Sequence, residues 1–265
     1  MKSNPRPLAL VTGASSGIGA DLARELAKDG HDLVLSARRV EPMQALADEL
    51  KGLGAACTII AADLSKSGAA AALVREIETR GMNIDVLINN AGLGDNGRVD
   101  QSDPLRVSEM LGVNVVALTE LTRLLLPPMV ARGRGKVMLL ASTAGFQPGP
   151  QMAVYCASKA YVLSFGEAIA FELRGSGVTI TTLCPGATET EFAQVAHAGH
   201  AALFKGRLMR VMSASDVARI GYHGLKAGRG VVITGLLNKI MTTSSRLSPT
   251  PVTLRIANWM MSGGK

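Results

Sequence analysis

The chain has 265 residues, 47% of them apolar, with 29 glycines and 11 prolines, which suits one globular domain with many tight connections and argues against a disordered or fibrous chain. Cys57, Cys156 and Cys184 stand far apart with no CxxC pair, and His197 and His200 are the one close histidine pair, so no disulfide framework and no metal site is expected, and the usage suits a reducing cytoplasm. The net charge of +7 is carried after Asp216, where Arg219, Lys226, Arg229, Lys239, Arg246, Arg255 and Lys265 follow without an acidic residue; their spread and the scarcity of aromatics favour a solvated face over nucleic-acid contact, while an anionic partner stays open.

The first stretch, MKSNPRPLALVTG, meets Thr12 and Gly13 after a brief apolar run, too short for an export signal, and reads as a strand. TGASSGIG follows and leads into a helix on which Ile18, Leu22 and Leu26 lie four apart. Gly13, Gly17 and Gly19 let backbone approach a pyrophosphate, with Ser15 and Ser16 in the same loop and the positive end of the helix behind it. The spacing is looser than GxGxxG, so the strand before and the helix after carry the reading. The next strand, DLVLSARR, ends in Ser36 and Ala37 where an acidic residue would hold a ribose diol. Arg38 and Arg39 then suit a 2'-phosphate, which favours NADP(H) over NAD(H), with Arg38 the better placed. ACTIIAAD ends in Asp63, whose carboxylate can serve adenine with the Leu64 backbone. DVLINNAG brings Ala91 and Gly92 to another strand exit, where backbone can approach the adenosine ribose.

Asp103 and Pro104 read as the cap and first residue of a long helix, which the Pro127 and Pro128 pair is expected to stop. Asn114 is polar within it; a buried amide needs partners, so it can bind backbone and position water for a proton relay. No window offers about twenty uninterrupted apolar residues, so no transmembrane segment is expected. GKVMLLAS closes on Ser142, a donor for a developing oxyanion. A second long helix is predicted from about Met152 to Arg174, and on it Tyr155 and Lys159 share a face. The lysine stabilises phenolate and so lowers the tyrosine's pKa, which suits a phenol that gives its proton to a carbonyl oxygen as hydride reaches the carbon. Its second task is to hold the nicotinamide ribose. Tyr161 follows Lys159 by two places and points elsewhere.

GVTITTLCPG and GVVITG complete a repeated strand, helix, strand pattern, read as α/β with both faces of a mostly parallel sheet covered. Together TGASSGIG, NNAG, Asn114, Ser142, YCASK and CPGATET resemble the short-chain dehydrogenase/reductase family over about residues 7 to 235. The resemblance implies a single-domain Rossmann fold, a doubly wound sheet, and an NADP-dependent oxidoreductase. It implies catalytic roles for Asn114, Ser142, Tyr155 and Lys159. It carries Ile18 to the nicotinamide-side phosphate loop, Asn90 to the cofactor ribose, and Pro185, Gly186 and Thr188 to nicotinamide and phosphate contacts. On the residues alone, Pro185 and Gly186 form only a tight strand exit.

Residues 187–213 lie beyond a strand's carboxyl end, where they can cover a cleft. Phe146, Met152, Phe192, Leu203, Phe204 and Met209 can wall the reacting end, which suggests a small or medium apolar ketone or aldehyde, reduced reversibly to the alcohol. A 3-ketoacyl thioester on a carrier protein or coenzyme A is the alternative substrate, its phosphate or acidic surface meeting the basic tail. A nucleotide-sensing or nucleic-acid-binding protein is the reading of another class, against which the polar quartet argues. Residues 1–235 are thus expected to form the dinucleotide-binding catalytic domain. Residues 236–265, with the single Trp259, are expected to form an extension packed on that domain or on a partner subunit, membrane-surface attachment being the alternative. Homodimer and homotetramer both stay open.

Overall fold

The computed structural model describes residues 6–192, 196 and 211–261. Among them, the seven expected strands form one sheet: β1 (Leu8–Thr12), β2 (Asp32–Ala37), β3 (Cys57–Ala61), β4 (Val86–Asn89), β5 (Gly135–Leu140), β6 (Val178–Cys184) and, after two short strands, β9 (Val231–Ile233). The order is β3-β2-β1-β4-β5-β6-β9, and every pairing is parallel. Such strands need apolar residues on both sides, because helices cover both faces. Leu10, Leu87 and Val137 pack on one face with Leu73, Leu121 and Val162, from helices α3 (Ala69–Thr79), α5 (Leu118–Ala131) and α6 (Ala153–Glu172). Val11, Ile88 and Met138 pack on the other with Leu22, Met43 and Val217, from α1 (Gly17–Lys28), α2 (Val40–Lys51) and α7 (Ala214–Lys226). The chain thus forms a doubly wound Rossmann fold. Strand order reverses between β1 and β4, whose following loops diverge and open a crevice at the carboxyl edge.

The long helix opens as its sequence predicts, with Pro104 first and the Asp103 carboxylate accepting from Leu105 N at 3.0 Å. Its end differs from the expectation. Pro127 and Pro128 lie inside α5, which continues to Ala131. Proline's φ is helical, so the helix can carry the pair at the cost of the bonds their missing amides would make and of crowding against the carbonyls one turn back. The stop comes at Gly133, whose φ of +64° is the left-handed turn that ends many helices. A second difference lies midway: between α4 (Pro104–Leu111) and α5, residues Gly112–Ala117 form a π-helical segment that contains Asn114. The run Pro104–Ala131 is long and apolar enough by composition to cross a membrane. It is nonetheless a core element here, with Leu118, Leu121, Leu125 and Met129 buried.

The ends of the 187–213 segment return to each other as β7 (Thr188–Glu189) and β8 (Met212–Ser213), a pairing the sequence did not suggest. His197, His200, Leu203, Phe204 and Met209 lie outside the described residues. After β9 come α8 (Leu236–Leu247) and α9 (Thr250–Met261), which bury Asn238, Thr242, Thr253 and Ala257.

Candidate active site

A cavity of about 500 Å³ runs along the carboxyl edge of the sheet, from the loop after β1 to Tyr155 on α6. At one end, Gly13 and Gly17 take φ of +65° and +57°, open to glycine at little cost. Gly19 lies behind them and does not line the cavity: a Cβ there would stand 2.3 Å from Gly13 O and 2.4 Å from Asn90 Nδ2. The loop is thus pressed against the end of β4. Asn90 holds it there, its Nδ2 donating to Thr12 O at 2.9 Å and Gly13 O at 3.1 Å. Thr12 Oγ1 in turn accepts from the amides of Asn90 and Ala91, both at 3.1 Å. Asn90 Nδ2 is therefore spent on shaping the loop, and Asn90 itself, with Ala91 and Gly92, forms the cavity wall beside it.

Three observations make this end fit a dinucleotide. Ser16, in the cap position of α1, makes no side-chain cap bond, which leaves the helix amides facing the cavity. Ser36 Oγ is buried in the cavity wall and has no partner among the described residues. The glycines form a cradle that side chains would fill. Asp63 and Leu64 border the cavity after β3. Burial alone would raise the Asp63 carboxyl, but bonds from the Ser65 hydroxyl (2.7 Å) and amide (3.1 Å), with the charges of Arg38 and Lys66, hold it below the ordinary value.

Arg38 and Arg39 both lie exposed at the rim, with different surroundings. Arg39 Nη2 contacts Glu191 Oε2 at 2.7 Å and Ser16 Oγ at 3.3 Å, and Ser16 Oγ also donates to Glu191 Oε2 at 2.9 Å. No described residue accepts a hydrogen bond from Arg38 in this way. Ser15 and Ile18 complete this rim.

At the other end, Tyr155, Ser142 and Lys159 meet. Ser142 lies two residues beyond β5 and caps the short helical turn Thr143–Phe146; its Oγ accepts from Ala144 N at 3.1 Å and donates to Pro185 O at 3.5 Å. Burial pushes the Tyr155 phenol up, and a hydrogen bond with Ser142 opposes it. This corrects the expectation that Lys159 sets a lowered phenol pKa: among the protein's own described groups, desolvation wins and Ser142 is the counterweight. Lys159 Nζ sits 5.7 Å from the Tyr155 ring centroid and donates to Leu140 O at 2.8 Å. Burial lowers its ammonium to about 8. Asn114 is fully buried and stands behind the cavity. Its Oδ1 accepts from Leu93 N at 2.8 Å, and its Nδ2 donates to Leu93 O at 2.8 Å and Ser158 Oγ at 3.0 Å. Tyr161 bonds Thr119 away from this cluster, at 2.9 Å.

Pro185, Gly186 and Thr188 line the wall opposite α6, where Thr143 N donates to Pro185 O at 2.9 Å. Sequence reasoning missed Thr190, which packs over Gly17 with its methyl 3.0 Å from where a Cβ would sit. It missed Glu191 as well, for want of any local signal. Phe192 stands 5.3 Å from the Tyr155 ring, and Met152 also lines the cavity, as expected of an apolar wall. Phe146 instead lies under Arg246, 4.8 Å from it, and is no cavity residue. Met241, Thr242 and Ala257 of α8 and α9 close the reacting end. Among the described residues, no cluster of His, Cys, Asp and Glu could hold a metal ion.

A sequence model described as short chain dehydrogenase matches residues 7–200. The ketoacyl reductase HetN of Nostoc sp. is 33% identical over 256 residues, covering 94% of this chain and 88% of that protein. A short-chain dehydrogenase from Sphingobium yanoikuyae, solved in complex with NADPH, superposes with a TM-score of 0.78 at 33% identity, covering 91% of this chain and 94% of that one. A short-chain dehydrogenase/reductase from Burkholderia phymatum, solved in complex with NAD, gives a TM-score of 0.80 at 26% identity, covering 92% and 94%.

Proposed function

As the chain belongs to the short-chain dehydrogenase family and is an oxidoreductase, we propose that it reduces a ketone or aldehyde to the alcohol, reversibly, with NADP(H) preferred over NAD(H). The observation that carries this reading is the buried Tyr155 ring, with Lys159 Nζ 5.7 Å from its centroid, sharing with Ser142 the wall of a cavity that begins at a dinucleotide cradle. The bound nicotinamide supplies or accepts the hydride. Each remaining task falls to the chain's own groups.

Ser142 Oγ accepts from Ala144 N and makes only a long 3.5 Å bond to Pro185 O, so its hydroxyl hydrogen can turn from that carbonyl to polarise a substrate carbonyl. A raised pKa keeps Tyr155 protonated at neutral pH, ready to give its proton to the carbonyl oxygen. Lys159 spends one of three donors on Leu140 O; the others serve the nicotinamide ribose and stabilise phenolate as it forms. Asn114 supports the relay from behind, by fixing the backbone at Leu93 and helix α6 at Ser158. At the far end Gly13, Ser15, Gly17 and Ile18 embrace the pyrophosphate, Asp63 and Leu64 the adenine, and Arg38 the 2'-phosphate. Neutral Ser36 and Ala37 at the end of β2 support NADP(H), because no carboxylate there repels a phosphate.

The test is an NADPH-consumption screen across aldehydes, ketones, steroids, quinones and 3-ketoacyl thioesters, with Tyr155→Phe as the blank. A panel on which the two proteins behave alike would remove the reading. A 3-ketoacyl thioester is the second reading, favoured by the similarity to a ketoacyl reductase and by the acid-free basic tail. It requires apparent substrate affinity to fall steeply with salt. Three free cysteines support a reducing compartment such as the cytoplasm. Exposed Val116, Tyr161 and Phe171 on the α5 and α6 side support a homo-oligomer.

A further inference from the structure

We propose that helices α8 and α9 form a docking face for an anionic lipid surface. On α8 the inward side holds Asn238 and Thr242, 9% and 4% exposed. Leu236, Ile240 and Leu247 occupy another side, 75%, 58% and 83% exposed. Their spacings of four and seven place them within about 40° of one another at about 100° per residue. On α9, Thr253 and Ala257 are buried, whereas Val252, Ile256 and Trp259, spaced four and three apart as a single stripe, stand 47%, 52% and 45% exposed. Scattered exposed leucines would need no explanation, but two successive helices each carry an ordered apolar stripe turned away from the core.

Charge selects the occupant. Lys239 flanks the stripe on α8, and Arg255 lies one turn before Trp259 on α9. No acidic residue follows Asp216. Arg246 is instead committed to the Phe146 ring and to Glu167. A second copy set against this face would bring the same basic residues together with no acidic counterpart on these helices. An anionic headgroup layer over acyl chains satisfies both demands, taking the cations at its surface and the apolar stripes just beneath. The inner sides of the same helices supply Met241, Thr242 and Ala257 to the cavity. The face is therefore the outer side of the wall that closes the reacting end.

The sole tryptophan, Trp259, provides the readout. The full chain is mixed with vesicles of equal phosphatidylglycerol and phosphatidylcholine, and with vesicles of phosphatidylcholine alone. Expected are co-sedimentation with the anionic vesicles and a blue shift of tryptophan emission, both weakened when salt rises from about 0.05 M to about 0.5 M. The double variants Ile240→Ser with Ile256→Ser, and Lys239→Glu with Arg255→Glu, should each lose about tenfold or more in vesicle affinity. Both should keep the thermal midpoint and NADPH binding, because these side chains stand outside the core and the cavity. The proposal is overturned if anionic vesicles fail to sediment the protein at low salt, or if neutral vesicles bind it equally. It is likewise overturned if sedimentation equilibrium finds a dimer that the serine pair dissociates, since the face would then belong to a second copy.

Discussion

Asn114 pairs with both backbone groups of Leu93: Oδ1 takes the amide and Nδ2 meets the carbonyl, each at 2.8 Å. The same Nδ2 reaches Ser158 Oγ at 3.0 Å, so one side chain ties the loop after β4 to helix α6. Asn114→Ala leaves these buried groups without their partner, at about 1–3 kcal/mol for each that finds no other. Urea unfolding should show a loss of about 3 kcal/mol, and turnover should fall at least tenfold as Tyr155 loses its fixed seat. Undiminished stability would mean that the clamp is replaceable.

Under the proposed mechanism, Tyr155→Phe removes the proton donor and little else, since the ring's contact with Phe192 survives. Turnover should drop by about 10²–10⁴ while NADPH affinity, read by nucleotide fluorescence, stays within about twofold. Comparable losses in both measurements would reassign the residue to cofactor binding.

The two arginines at the rim should separate cleanly. Arg39 is held by Glu191 and Ser16, whereas Arg38 faces the cavity without such a tether. Arg38→Ala should weaken NADPH at least tenfold and leave NADH unchanged; Arg39→Ala should cost a few-fold at most, the usual worth of an exposed pair. Titrating both variants with both nucleotides decides it, and the reverse ranking would move the phosphate site to Arg39.

Lys159 gives the pH dependence. Its ammonium is lowered from 10.5 to about 8 by burial. Between those values the unfolded chain holds more protons than the folded one, so its contribution to stability rises with pH in that window and is flat below it. Wild type should therefore gain stability relative to Lys159→Met from pH 8 to pH 10.5. Tyr155 and Cys156, whose pKa values are raised, act in the opposite sense in both proteins and cancel in the difference; Cys184 is raised too, but the Lys159 charge holds it down in part, so its decline is steeper in the variant and adds to the same difference. Carbonyl reduction should hold below about pH 8 and decline above it as Lys159 loses its charge. Parallel unfolding curves for the two proteins across this range would show that Lys159 titrates normally.

The sheet was legible because parallel strands buried on both sides leave short, near-continuous apolar runs, and all seven were bounded by glycine or by a change of period. The glycine-rich loop and the Tyr155 and Lys159 pair were legible for a similar reason: each is a local pattern on one element. The proline pair reads as a stop because a missing amide breaks the hydrogen-bond ladder, yet proline's φ is helical and the helix runs on until Gly133 turns it left-handed. Thr190, Glu191 and Met241 escaped notice because their relation to the cavity depends on segments distant in sequence folding back over it. The direction of the Tyr155 shift escaped for another reason, since burial is a property of the whole surroundings and no spacing of two residues encodes it.

The π-helical segment at Gly112–Ala117 has an implication for how this chain tolerates length changes. A π turn holds about one residue more than the α turn it replaces. Removing one residue between 112 and 117 would let the helix close into ordinary α geometry, which by itself favours a more regular backbone. Because the extra residue is taken up within that turn, α4 and α5 would keep their phase and Leu121 and Leu125 would stay on the core; what changes is the turn itself, whose widened backbone carries Asn114 to Leu93. The irregular turn works as a local offset that seats Asn114 while the two flanks stay in register, and a shortened rod, however regular, would keep its core contacts and forfeit the clamp.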